Sequence, residues 1–92
     1  MTEKLIDDKL CKGVKKLDGM AIKLLSLTFT GFPDRTILLP GGRICFAELK
    51  STGMKPSERQ KVVIAWLRRL GFTVYVIDSQ EGLDSFFNDI KV

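Results

Sequence analysis

Two carboxylates and a lysine lie close together in the middle of the chain: Asp34, Glu48 and Lys50. Between the two acids stands Pro40-Gly41-Gly42, flanked by apolar runs on both sides, and that pattern signals a hairpin. If Gly41 centres a three-residue loop, Leu39 faces Arg43 and Asp34 comes opposite Glu48. A two-residue Gly41-Gly42 turn shifts the pairing by one, leaving the acids adjacent but on opposite faces. Alternation along the second strand sends Ile44, Phe46, Glu48 and Lys50 to one face, and Cys45, Ala47 and Leu49 to the other. Like charges close together among apolar groups disfavour joint ionisation. A divalent cation relieves that conflict, and Mg²⁺ favours one or two carboxylates completed by waters and phosphate oxygens. Such an ion polarises a phosphoryl oxygen and acidifies a water. A lysine beside it can orient that water or stabilise charge developing on the phosphate. The same spacing also suits a structural Glu48–Lys50 ion pair beside a turn aspartate.

Composition narrows the chemistry to this kind. The chain has 92 residues and no histidine, which removes Ser-His-Asp triads, Cys-His pairs and histidine-bearing zinc sets. With 45% hydrophobic and 28% charged residues it reads as one folded domain, residues 1–92, with no low-complexity segment. Fifteen Lys+Arg against eleven Asp+Glu give a net charge of +4. Eight of those bases fall between Arg35 and Arg69 against only Glu48 and Glu58, so the middle of the chain suits a polyanion such as nucleic acid. Cys11 and Cys45 form no disulfide framework and are expected to be reduced and buried. The charged N-terminal residues and the lack of a long apolar run predict a cytoplasmic protein with no membrane association.

The elements that must position these groups follow from periodicity. Ile6, Leu10, Val14 and Leu17 recur at helical spacing over residues 3–17, with Asp18-Gly19 as the stop and with Glu3 and Asp7 on the same stripe. Residues 20–29 (MAIKLLSLTF) read as a strand, and the hairpin follows. Ser57–Gly71 reads as a helix. Phe72–Asp78 is a nearly continuous apolar strand, expected to be buried on both faces. Leu83, Phe86, Phe87 and Ile90 mark an amphipathic tail helix. The expected fold class is therefore α/β, in the order αβββαβα, with a mixed central sheet flanked by helices.

Gly31-Phe32-Pro33-Asp34-Arg35, Phe46-Ala47-Glu48-Leu49-Lys50 and Pro56-Ser57-Glu58-Arg59-Gln60, in that order and spacing, resemble the PD-(D/E)xK nucleases. More closely they resemble the stand-alone phage members of the VRR-Nuc family, from about Glu3 to about Leu83. The resemblance implies a restriction-endonuclease-like core and a Mg²⁺ or Mn²⁺ site held by Asp34, Glu48 and the Leu49 backbone carbonyl. Lys50 would be the catalytic lysine and Gln60 a supporting glutamine of the site. Ser57-x-x-Gln60 is at the same time a capping box, a role compatible with site support. The family also places an acid on the first helix, and either Glu3 or Asp7 fits; helix N-terminal acids are also favoured by the macrodipole alone.

Arg35, Arg43, Lys55, Lys61 and Arg68 are candidate phosphate contacts, although solvated surface charge is the plainer reading of each. Members this small resemble Holliday-junction resolvases, which implies a homodimer acting on branched DNA in a cytoplasm, that of the host if the chain is phage-encoded. The tail helix (Phe86, Phe87) or Trp66 would supply the dimer interface. The alternative is a catalytically inactive DNA-binding module that keeps the nuclease fold.

Overall fold

The computed structural model describes residues 1–24 and 28–91. Helix α1 (Glu3–Lys16) opens on Thr2, whose side chain accepts from the Leu5 N–H, and its stripe of Ile6, Leu10 and Val14 is wholly buried. Asp18, at φ 61°, turns the chain into β1 (Met20–Ile22). The hairpin follows as β2 (Arg35–Leu39) and β3 (Arg43–Leu49), joined by Pro40–Gly42 with Gly41 and Gly42 at φ 82° and 73°. Those left-handed angles are what the two glycines are needed for. Then come α2 (Glu58–Arg69), β4 (Thr73–Ile77) and α3 (Gln80–Ile90).

The sheet order is β1-β2-β3-β4, antiparallel through β3 and parallel between β3 and β4. Leu39 pairs with Arg43, the register expected of a three-residue loop. Ile37, Leu39, Cys45, Ala47, Leu49 and Ile77 pack on one face against α1 and α3. Phe46 and Val74 pack on the other against Ile64 of α2, flanked by Phe32 and Leu67. The αβββαβα order and the mixed, helix-flanked sheet are those read from the sequence.

Four expectations need correction. The strand expected over 20–29 is formed only at Met20–Ile22; residues 25–27 lie outside the described residues. Its partner β2 is preceded by Pro33, which has no N–H to extend the ladder, and by Gly31 at φ 85°. The strand expected to be buried on both faces is an edge: Val74 lies under α2, whereas Val76, on the same face, is 41% exposed. The apolar face of the tail helix is consumed inside the chain. Phe86 is fully buried, and Phe87 lies so close to α1 that a Cβ on Gly13 would sit 2.2 Å from its ring. Phe87 itself stays partly exposed at the edge of that packing. Cys45 is buried, and loss of hydration pushes its thiol up to about 11; Cys11, one position off the buried stripe of α1, is only partly covered.

Candidate active site

The site gathers where β2 begins and β3 ends. Asp34 immediately precedes β2, and its Oδ2 accepts from the Leu49 N–H at 2.8 Å, which fixes its carboxylate to the last residue of β3. Glu48 is 0% exposed, the one buried charged side chain among the described residues. Its Oε2 accepts from the Gln60 Nε2 at 2.8 Å and pairs with the Lys50 Nζ at 3.1 Å. Its Oε1 is buried without any partner. Burial pushes the Glu48 carboxyl up, and the neighbouring Asp34 charge pushes it further, against the opposing pull of Lys50.

Gln60 reaches Glu48 because α2 begins where it does. Ser57 caps the helix by accepting from the Gln60 N–H at 3.1 Å, and the Gln60 Oε1 accepts in return from the Ser57 N–H at 2.8 Å. One amide thus closes the capping box with its oxygen and holds the buried carboxylate with its nitrogen. The two roles read from the Ser57-x-x-Gln60 spacing coexist in one side chain.

On the α1 side of the sheet, a cleft of about 200 Å³ is lined by Glu3, Lys4, Asp7, Lys23, Asp34, Arg35 and Leu49. The two helix acids differ in what they do there. Asp7 is taken by Arg35, with both carboxylate oxygens accepting at 2.8 Å, and this fork holds its carboxyl below the usual range. Glu3 lines the same cleft, and its backbone N–H donates to the Ser51 Oγ at 3.1 Å. Thr52 accepts from the Met1 amino group at 2.8 Å and donates to the Asp78 carbonyl at 2.9 Å. The loop directly after Lys50 therefore pins the start of α1 to the site end of the sheet.

The expected phosphate contacts scatter. Arg35 is spent on Asp7 and on the Ala21 carbonyl. Arg43 stands at the other end of β3 and donates to the Ile90 carbonyl at 2.8 Å, closing the C-terminus of α3. Arg68 donates to the Val74 carbonyl at 2.7 Å, and Lys61 pairs with Glu58 one helical turn away. Lys55 is exposed in the loop before α2. The cations that line the cleft besides Arg35 are Lys4 and Lys23, which sequence reasoning passed over. Lys23 carried a usable signal, as the lone charge in an otherwise apolar run.

Two acids and a lysine at one end of a mixed sheet, with helices in the order αβββαβα, define a nuclease of the restriction-endonuclease-like class. No family model matches the chain. It is 42% identical over 79 residues, 86% of its own length and 85% of the other, to "Putative nuclease p44" of Acyrthosiphon pisum secondary endosymbiont phage 1. A solved structure described as a VRR_NUC domain superposes with a TM-score of 0.89 at 26% identity, covering 99% of this chain and 100% of that one. The chain belongs to the VRR-Nuc family of nucleases, in its phage type.

Proposed function

We propose that this protein is a divalent-metal-dependent DNA endonuclease that hydrolyses phosphodiester bonds at the Asp34–Glu48–Lys50 end of the sheet. The observation that carries the reading is Glu48, a wholly buried carboxylate with one oxygen held by Gln60 and Lys50 and the other without a partner. An unsatisfied buried acceptor costs about 1–3 kcal/mol, more when it is charged, so a fold that keeps one needs a reason. A cation supplies it. Among the described residues no three Cys, Asp or Glu side chains converge on one point, so waters and phosphate oxygens would complete the coordination. That suits Mg²⁺ or Mn²⁺, hard ions content with oxygen ligands.

In this reading Asp34, Glu48 and the Leu49 carbonyl would hold the ion, and Glu3, the helix acid not occupied by Arg35, would reach it through water. When bound, the cation would polarise the scissile phosphoryl group and make a water more acidic. Lys50 is held 3.1 Å from Glu48 with its side chain 19% exposed, placed to orient the attacking water and to stabilise negative charge on the phosphate. Gln60 keeps the carboxylate of Glu48 turned toward the site.

The preferred substrate is branched duplex such as a Holliday junction, cut by a homodimer. A 92-residue chain has a small basic surface, and two-fold pairing doubles it and offers one cleavage site to each of two strands. The face proposed for pairing is that of Trp66, which is 47% exposed beside an apolar groove lined by Phe29, Phe32, Val63, Leu67 and Leu70. The deciding experiment incubates a labelled four-way junction, and a linear duplex as control, with the protein in Mg²⁺, Mn²⁺ or EDTA. Symmetric nicking of the junction in metal alone is expected. Cleavage in EDTA would overturn the mechanism, and junction binding without cleavage, insensitive to Mg²⁺ and to Asp34→Asn, would favour the inactive module.

A further inference from the structure

Arg35 follows Asp34 directly, and its position in a basic segment suggests a group that meets substrate. Its side chain does something else. It is 18% exposed, and three of its five N–H donors are used within the protein: Nε to the Asp7 Oδ1 and Nη2 to the Asp7 Oδ2, both at 2.8 Å, and Nη1 to the Ala21 carbonyl at 3.1 Å. One guanidinium on β2 thereby ties α1 and β1 together beside Asp34. The Cys11 Sγ adds a weaker contact to the Asp7 Oδ1 at 3.7 Å. Lys23 acts on Asp7 from the cleft, and Glu3 lies one turn before Asp7 on α1 in the same cleft.

We infer that Asp7 and Arg35 form a positioning pair, which sets α1 against the start of β2 so that Glu3 and Asp34 share one cleft, and which withholds Asp7 from the metal. The inference rests on the metal-dependent reading above and goes beyond it by giving both residues a role that is neither ligand nor phosphate contact. The planar fork of arginine fixes distance and direction together, which a lysine ammonium cannot do. The pair also settles a charge problem. A cleft that already holds Glu3 and Asp34, with Glu48 behind, would repel phosphate more strongly with Asp7 left free, and a free Asp7 would compete for the cation. Paired with Arg35, Asp7 adds no net charge.

The test measures Mn²⁺ affinity by electron paramagnetic resonance, together with DNA affinity in EDTA and the metal midpoint of junction cleavage, for the wild type, Arg35→Ala, Arg35→Lys and Asp7→Asn. Loss of the fork is expected to weaken Mn²⁺ binding about 10–100-fold in Arg35→Ala and Asp7→Asn, the range seen for partners outside a metal's ligand set. Arg35→Lys should remain closer to Arg35→Ala than to the wild type. DNA affinity in EDTA should stay within about two-fold in Arg35→Lys, and saturating metal should restore cleavage, which it would not do for a merely misfolded chain. Unchanged Mn²⁺ affinity in Asp7→Asn, which keeps the side-chain shape, would overturn the inference. So would a loss of DNA affinity in Arg35→Ala with a salt slope reduced by about one, the mark of a phosphate contact. If the wild type binds Mn²⁺ but cuts nothing, the nuclease reading falls while the pair is still judged on Mn²⁺ affinity. If it binds no Mn²⁺, both fall.

Discussion

Gln60 carries two hydrogen bonds that substitutions can separate. Its Oε1 closes the capping box of α2 and its Nε2 holds Glu48. Gln60→Ala removes both. The lost return bond of the capping box costs about 1 kcal/mol, and the lost hydrogen bond to a charged acceptor about 1.5–3 kcal/mol. Together that is roughly 3 kcal/mol. At about 5 °C per kcal/mol for a domain of this size, the melting temperature should fall by around 15 °C. Gln60→Glu keeps the cap, since glutamate serves equally at that position of a capping box, but it replaces the donor with a second carboxylate against Glu48.

The two variants then diverge with pH. Burial already raises the folded-state pKa of Glu48, and a facing carboxylate raises it further. The folded chain takes up a proton that the unfolded chain would not hold, so the associated stabilisation is present at low pH and lost as pH rises through the folded value. Gln60→Glu should therefore melt close to the wild type at pH 5 and well below it at pH 8, whereas the deficit of Gln60→Ala, which loses a donor without adding a charge, should grow less over the same range. Both should lose metal-dependent cleavage by about 10–100-fold at pH 8. Thermal melts at the two pH values and a junction cleavage time course measure all of this. If Gln60→Glu melts and cleaves like the wild type at pH 8, Gln60 is a helix cap and nothing more.

Lys50→Ala should abolish cleavage while leaving junction affinity within about two-fold; equal loss of both would make Lys50 a phosphate contact only. Mg²⁺ or Mn²⁺ should raise the melting temperature more at pH 8 than at pH 5, because protons compete for a Glu48 whose pKa burial has raised, and an equal rise at both would place the ion elsewhere. Lys4→Ala and Lys23→Ala should each lower the salt slope of DNA binding by about 0.9, whereas Arg43→Ala, with its guanidinium on the Ile90 carbonyl, should leave it unchanged.

What the sequence made legible was set by local rules. Pro40-Gly41-Gly42 announced the hairpin and narrowed its register to two, both of which bring Asp34 beside Glu48, because only glycine accepts those two backbone angles cheaply. The capping box announced both the start of α2 and the direction of Gln60. What stayed hidden depends on contacts across the sequence. The Asp7–Arg35 fork joins positions 28 apart, and no spacing rule pairs them. The packing of Phe87 depends on Gly13 leaving room on a helix at the far end of the chain. Residues 72–78 were read as doubly buried from composition alone, yet whether a strand is central or at an edge is decided by which strands flank it.

The placement of Glu48 also explains why the site sits at this end of the sheet. A buried charge is tolerable only where the surrounding structure holds it on several sides, and β3 is one of the two internal strands, with a partner on each flank. At its last residues it meets the start of β2 through Asp34, the first turn of α2 through Gln60, and the start of α1 through the loop after Lys50. Each of those contacts comes from an element end, where backbone groups are unsatisfied and caps are required in any case. The protein therefore builds its site largely from interactions that terminate its helices and strands. A substitution that loosens one of these contacts should therefore disturb stability and metal binding together.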